Sequence, residues 1–264
     1  MTNSTLIRVT DQERIRILEL HNPPANGYSF EMMKALDHAI VETRFAQDID
    51  VIVLTGSGDR MFCAGADIAG LSEMDPAYKY QFCLHANETL TRLSATTKLV
   101  IAAINGHCVG GGLEVALAAD LRVCHEGRIR FGLPEAKLGV LAGTGGTQRF
   151  ARLVGSSRAI EWMATGETFG PEKALEMGVV NRILPSDGFM EHVLKFAATF
   201  TQPGASASAI SLMKLAVQGG IEAPLNAGLA LERELQQRLF SAKDSTEGLS
   251  AFLEKRPPQF TGEE

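Results

Sequence analysis

Along the chain, short apolar runs alternate with longer stretches whose apolar residues recur every three or four positions. RIRILEL, residues 14–20, alternates with period two and predicts a half-buried strand, which NPPANG ends with two prolines and a glycine. Ser29 then offers an N-cap to FEMMKALDHAIVETRFA, a helical pattern, and DVIVLTGSG follows as a buried strand stopped by two glycines. MFCAGADIAGL leads into a helix over about residues 77–93. KLVIAAINGH reads as a strand cut by Asn-Gly, LEVALAAD as a helix and LRVCHE as a strand. RIRFGLPEAKLGVLAGTGGTQRF predicts a long loop region. From Ala151 the pattern is mostly helical, with one strand in VVNRILP, and both APLNAGLALERELQQRLFSA and DSTEGLSAFLEKR are amphipathic. VIVLTGSG and VIAAINGH resemble each other, each leading into a small-residue loop, a repeat weak enough for chance to produce. The expectation is an α/β core over residues 1–200 and a helical region over 201–264.

Composition narrows the class. A chain of 264 residues with 45% hydrophobic and 21% charged residues buries a sizeable core as an ordinary globular protein. The net charge of -6 gives no electrostatic footprint for nucleic acid. No apolar run approaches the ~20 residues of a membrane span, and the first residues lack the pattern of a secretory signal, so a cytoplasmic location is expected and no membrane partner. Cys63, Cys83, Cys108 and Cys124 form no CxxC pair and read as buried small hydrophobes, while the six histidines show no metal-ligand spacing. No metal is predicted.

Candidate chemistry centres on GHCVGGGLE, residues 106–114, where three glycines stand between a strand and a helix. A phosphate cradle fails on spacing: no GxxxxGK[ST] occurs, and TGSGDRM and GTGGTQ lack the last glycine of GxGxxG. A bare glycine run at a helix start also lets a ligand approach main-chain N–H groups, where the helix dipole adds partial positive charge. Such donors can hold an acyl oxygen that turns negative during reaction, although for the glycine triplet alone close packing of two backbones is the more common explanation. FCAGADI supplies a second small-residue loop after a strand. Glu114 alone is most often a solvated helix residue, and Glu135 alone a helix-cap residue. Beside two glycine loops, the pair suggests acid and base work.

These stretches resemble the enoyl-CoA hydratase/isomerase (crotonase) superfamily over nearly the whole length. FCAGADI resembles the loop in which the residue after Ala-Gly gives one oxyanion N–H, here Ala66, and NGHCVGGGLEVALAADLRV the segment whose middle glycine gives the other, here Gly111. FGLPEAKLGVLAGTGGTQRFARLVG resembles the segment bearing the second glutamate, Glu135, and a glycine near the catalytic water, Gly143. The resemblance implies a spiral of strand-strand-helix turns forming two roughly perpendicular sheets, with C-terminal helices that build trimers or hexamers. It implies an acyl-CoA substrate, with coenzyme A entering as part of that substrate and no separate cofactor. Glu114 would activate water for attack on the β carbon and Glu135 would protonate the α carbon. Ala25, Ala64, Ala66, Asp67 and Ile68 would contact the coenzyme A, and Met74, Phe82 and the C-terminal helices would wall the acyl pocket.

Three departures stand out against the family pattern. Ala69 stands where many hydratases carry lysine, Ala142 replaces the proline usual before the water-site glycine, and HNPPANGYS looks more like the loop of multifunctional fatty-acid enzymes. Hydration of a 2-enoyl-CoA, or its reversal, is the leading expectation. The alternatives are a 3,2-enoyl-CoA isomerase that uses Glu135 alone, and a non-catalytic or RNA-binding homologue.

Overall fold

The computed structural model describes residues 5–262. In chain order they form β1 (Ile7–Gln12), β2 (Ile15–Leu20), α1 (Phe30–Phe45), β3 (Val51–Gly56), β4 (Met61–Cys63), α2 (Ile68–Glu73), α3 (Pro76–Ser94), β5 (Leu99–Ile104), β6 (His107–Val109) and α4 (Gly111–Leu117). There follow β7 (Leu121–His125), β8 (Phe131–Gly132), a 3-10 turn (Glu135–Leu138), α5 (Gly146–Val154), α6 (Ser156–Thr165), α7 (Pro171–Glu176), β9 (Arg182–Leu184), α8 (Phe189–Ala198), α9 (Ala207–Ile221), α10 (Leu225–Ser241) and α11 (Lys243–Glu254).

Two sheets result, one in the order β1-β2-β3-β5-β7-β9 and a smaller one in the order β4-β6-β8. Among the strands of the described residues β1 and β2 alone pair antiparallel, and the other neighbours in both sheets are parallel. Three times the chain runs through a strand of the large sheet, then one of the small sheet, then helix: β3 to β4, β5 to β6 and β7 to β8. This is the strand-strand-helix spiral expected above.

The runs VIVLTG and LVIAAI are buried at all six positions because their sheet is covered on both faces. Successive side chains point to opposite faces, so Ile52, Leu54, Val100, Ala102 and Ile104 join the core with α1 and α3. Val51, Val53, Leu99, Ile101 and Ala103 join a second core with Phe189 and Val193 of α8. Ser29 caps α1, its hydroxyl accepting from Met32 N–H at 3.2 Å.

The sequence reading missed β1 and the three strands of the small sheet. Those three have only two or three residues each, too few for any period to show. It also read as loop the stretch in which α5 begins, at Gly146.

Candidate active site

Pairing in the small sheet brings three chain ends together. Cys63 pairs with Cys108, so the residues after β4 (Ala64, Gly65, Ala66) lie beside those after β6 (Gly110, Gly111). Val109 pairs with Gly132, so the residues after β8, leading to Glu135, lie on the other side of Gly110. All three follow the carboxyl ends of parallel strands, the edge where open parallel sheets gather their sites.

The glycines of GGGLE are explained by this crowding. Gly110 has φ +56°, a left-handed conformation costly for other residues, and a Cβ there would stand 3.1 Å from Glu135 Oε1. Across the gap, Gly65 has φ +97°, and a Cβ on it would stand 2.8 Å from Gly111 N. At Gly111 the Tyr28 hydroxyl already fills the side-chain space, as the Cys63 carbonyl does at Gly112.

Ala66 forms a parallel bridge with Tyr28, in which Tyr28 N–H donates to Gly65 O at 2.9 Å and Asp67 N–H donates to Tyr28 O at 3.0 Å. Tyr28 is thereby satisfied by the residues flanking Ala66, and the Ala66 N–H points away from it. Among the described residues neither the Ala66 N–H nor the Gly111 N–H has a hydrogen-bond acceptor. Ala64 N–H donates to Ala25 O at 3.0 Å, and Asn26 Nδ2 donates to Ser57 O and Met61 O, tying the NPPANG loop to this ribbon. Ala25, Ala64, Ala66 and Asp67 therefore form one surface, with Ile68, 58% exposed, opening α2 beside it.

The two glutamates have contrasting surroundings. Glu114, 2% exposed, accepts on Oε1 from Thr144 N–H at 2.8 Å and Gly146 N–H at 2.7 Å. Burial pushes its carboxyl above the usual carboxylate range, and these two N–H groups, with the Arg149 charge, pull it back. Glu135 Oε2 is buried with no hydrogen-bond partner among the described residues. Burial first, then the nearby Glu114 charge, raises the Glu135 carboxyl to about 7.

Gly143 is exposed on the loop before α5, one residue from Thr144. The groups on Glu114 are Thr144 and Gly146, which the sequence reading did not single out. A pocket of about 270 Å³ opens beside Glu135, walled by Leu133, Val140, Leu141, Ile160 and Met163. Phe82, expected at the acyl wall, is 3% exposed and packs on Tyr28 with ring centroids 6.0 Å apart. Among the described residues no three His, Cys, Asp or Glu side chains gather as a metal site, and no helix is long and apolar enough to cross a membrane.

Comparison with known proteins agrees with this architecture. The enoyl-CoA hydratase/isomerase family profile matches residues 10–263. A protein named probable enoyl-CoA hydratase in Mycobacterium bovis is 37% identical, over 99% of both chains. The 2,3-dehydroadipyl-CoA hydratase of Escherichia coli is 38% identical over 96% of this chain and 98% of its own. The crystal structure of an enoyl-CoA hydratase from Geobacillus kaustophilus superposes with a TM-score of 0.95 at 45% identity, covering 99% of this chain and 98% of that one. Matched by the family profile over residues 10–263 and by these relatives over nearly the full length of both chains, the chain belongs to the enoyl-CoA hydratase/isomerase family.

Proposed function

We propose that the protein is an enoyl-CoA hydratase, adding water reversibly across the double bond of a 2-enoyl-CoA. The observation that carries this reading is the convergence of two differently held glutamates on one corner of the small sheet. The Ala66 and Gly111 N–H groups hold the thioester oxygen as it gains negative charge, a contribution of roughly 3 kcal/mol per donor. Ionised Glu114 takes a proton from water, whose oxygen attacks the β carbon. Protonated Glu135 gives its proton to the α carbon, and solvent returns the pair to its starting state. One carboxyl must be charged and the other neutral, the division that their surroundings favour. Gly143 lines the water position from the loop next to Thr144.

Ala25, Ala64, Ala66, Asp67 and Ile68 contact the coenzyme A, which is substrate, and no further cofactor is needed. The pocket beside Glu135 takes the acyl chain. Among the described residues neither Lys nor Arg lines it, which favours an apolar chain over one ending in a second carboxylate. Residues 1–200 carry the site and residues 201–264 the contacts of a homotrimer or homohexamer. Four free thiols support a cytoplasmic location.

The test compares the parent, Glu114→Gln and Glu135→Gln with 2-enoyl and 3-enoyl substrates of one chain length. Each substitution should lower hydration by ~100-fold or more, and the double variant should lose less than the product of the two losses. A parent that moves the 3-enoyl double bond without hydrating, with Glu114→Gln retaining that conversion, would replace this reading by the isomerase.

A further inference from the structure

Thr144 has all three of its polar groups engaged around Glu114. Its N–H donates to Glu114 Oε1 at 2.8 Å, its hydroxyl lies 3.2 Å from the Tyr28 hydroxyl, and its carbonyl accepts from Arg149 Nη1 at 3.2 Å. Tyr28 is 2% exposed and anchored through its own backbone to Gly65 and Asp67, so its hydroxyl is a fixed point. Arg149 sits in the first turn of α5, its N–H bonded to Gly145 O at 2.8 Å. That turn also carries the Gly146 N–H, the second donor to Glu114.

We propose that Tyr28 and Arg149 are positioning residues for Glu114: they clamp Thr144 by its hydroxyl and its carbonyl, and Arg149 adds a positive charge facing the carboxylate. The proposal rests on the hydratase reading, in which Glu114 must be ionised and aimed at water. Free rotation of a glutamate side chain would spread its oxygen over several positions, and small displacements of a catalytic group are costly. Titratable groups face Glu114 from four parts of the fold: Tyr28 ahead of α1, Cys83 of α3, Glu135 of the 3-10 turn and Arg149 of α5. Of these Arg149 alone is a cation. Removing its charge therefore makes Glu114 harder to ionise, whereas Tyr28, a neutral phenol, supplies no charge and holds Thr144 in place.

Parent, Arg149→Lys, Arg149→Gln and Tyr28→Phe are compared by steady-state hydration of a short 2-enoyl-CoA across about pH 5 to 9. Arg149→Gln keeps a donor and loses the charge, so the acid limb of kcat/KM should move to higher pH. Its kcat should fall roughly 10- to 100-fold, with KM changed little. Arg149→Lys should leave the limb at the parent position. Tyr28→Phe should lower kcat with the limb unmoved. An Arg149→Gln limb that coincides with the parent's overturns the role of the charge, and a Tyr28→Phe variant with parental kcat overturns the clamp. If circular dichroism shows Arg149→Gln unfolded, Tyr28→Phe decides alone. A parent that hydrates no 2-enoyl-CoA sinks the hydratase reading and this one with it, whereas a hydrating parent with unaffected variants overturns only the clamp.

Discussion

At the residue scale, Glu135 shows how a site stores instability. Its carboxyl titrates near 7 in the folded chain against a usual 4.5, so the native state holds that proton more tightly than the unfolded state does. A raised carboxylate pKa favours folding below pH 4.5, and the benefit is lost as pH rises through 7. Glu135→Gln cannot ionise, so its Tm should exceed the parent's at pH 8 and converge with it below pH 4.5. Differential scanning calorimetry at the two pH values checks this. A variant that gains nothing at pH 8 would mean that the buried Oε2 is satisfied when charged.

The elements meet most tellingly where α9 docks on the large sheet. Lys214 Nζ lies 2.7 Å from Asp120 Oδ2 and 3.0 Å from Lys98 O, and its side chain is only 7% exposed. Asp120 in turn accepts from Val100 N–H at 2.8 Å, so one carboxylate joins α9, the end of the α4 segment and β5. Burial makes Lys214 harder to protonate and Asp120 harder to ionise, and their mutual attraction opposes both effects. Lys214→Met should therefore cost up to about 3–5 kcal/mol by removing the ion pair of a buried Asp120, which keeps the Val100 N–H and Gln218 donors and the more distant Arg122 charge. Adding Asp120→Leu should recover part of that loss, as read by urea unfolding. Equal stability of Lys214→Met and the parent would show that the pair is solvated.

For the whole molecule, the C-terminal helices leave apolar side chains in water. Met213 is 61% exposed, Ile221 74% and Phe252 82%, and α9 borders an open groove of about 620 Å³ with Leu117 and Leu153. Apolar surface gathered along such a groove marks a site of association. For the homotrimer or homohexamer proposed above, light scattering should return three or six times the 28.4 kDa of one chain. A stable monomer at micromolar concentration would contradict the assembly and leave these helices without a partner.

Much of this was legible in the sequence because its signals are local. The apolar runs of β3 and β5 and the Ser29 cap need only a few neighbouring residues to be recognised, and the two glycine loops and both glutamates stand in motifs of contiguous residues. The tertiary structure decided what depends on distant partners. The strands β4, β6 and β8 exist because they pair with one another, not because two or three residues carry a pattern. Thr144, 30 positions from Glu114, became part of the site because its N–H meets that carboxylate across the fold. Likewise the contrast between the glutamates, Glu114 held by two N–H donors and Glu135 with an unpartnered buried Oε2, arises from burial and donors supplied elsewhere, since two identical side chains differ only in their surroundings.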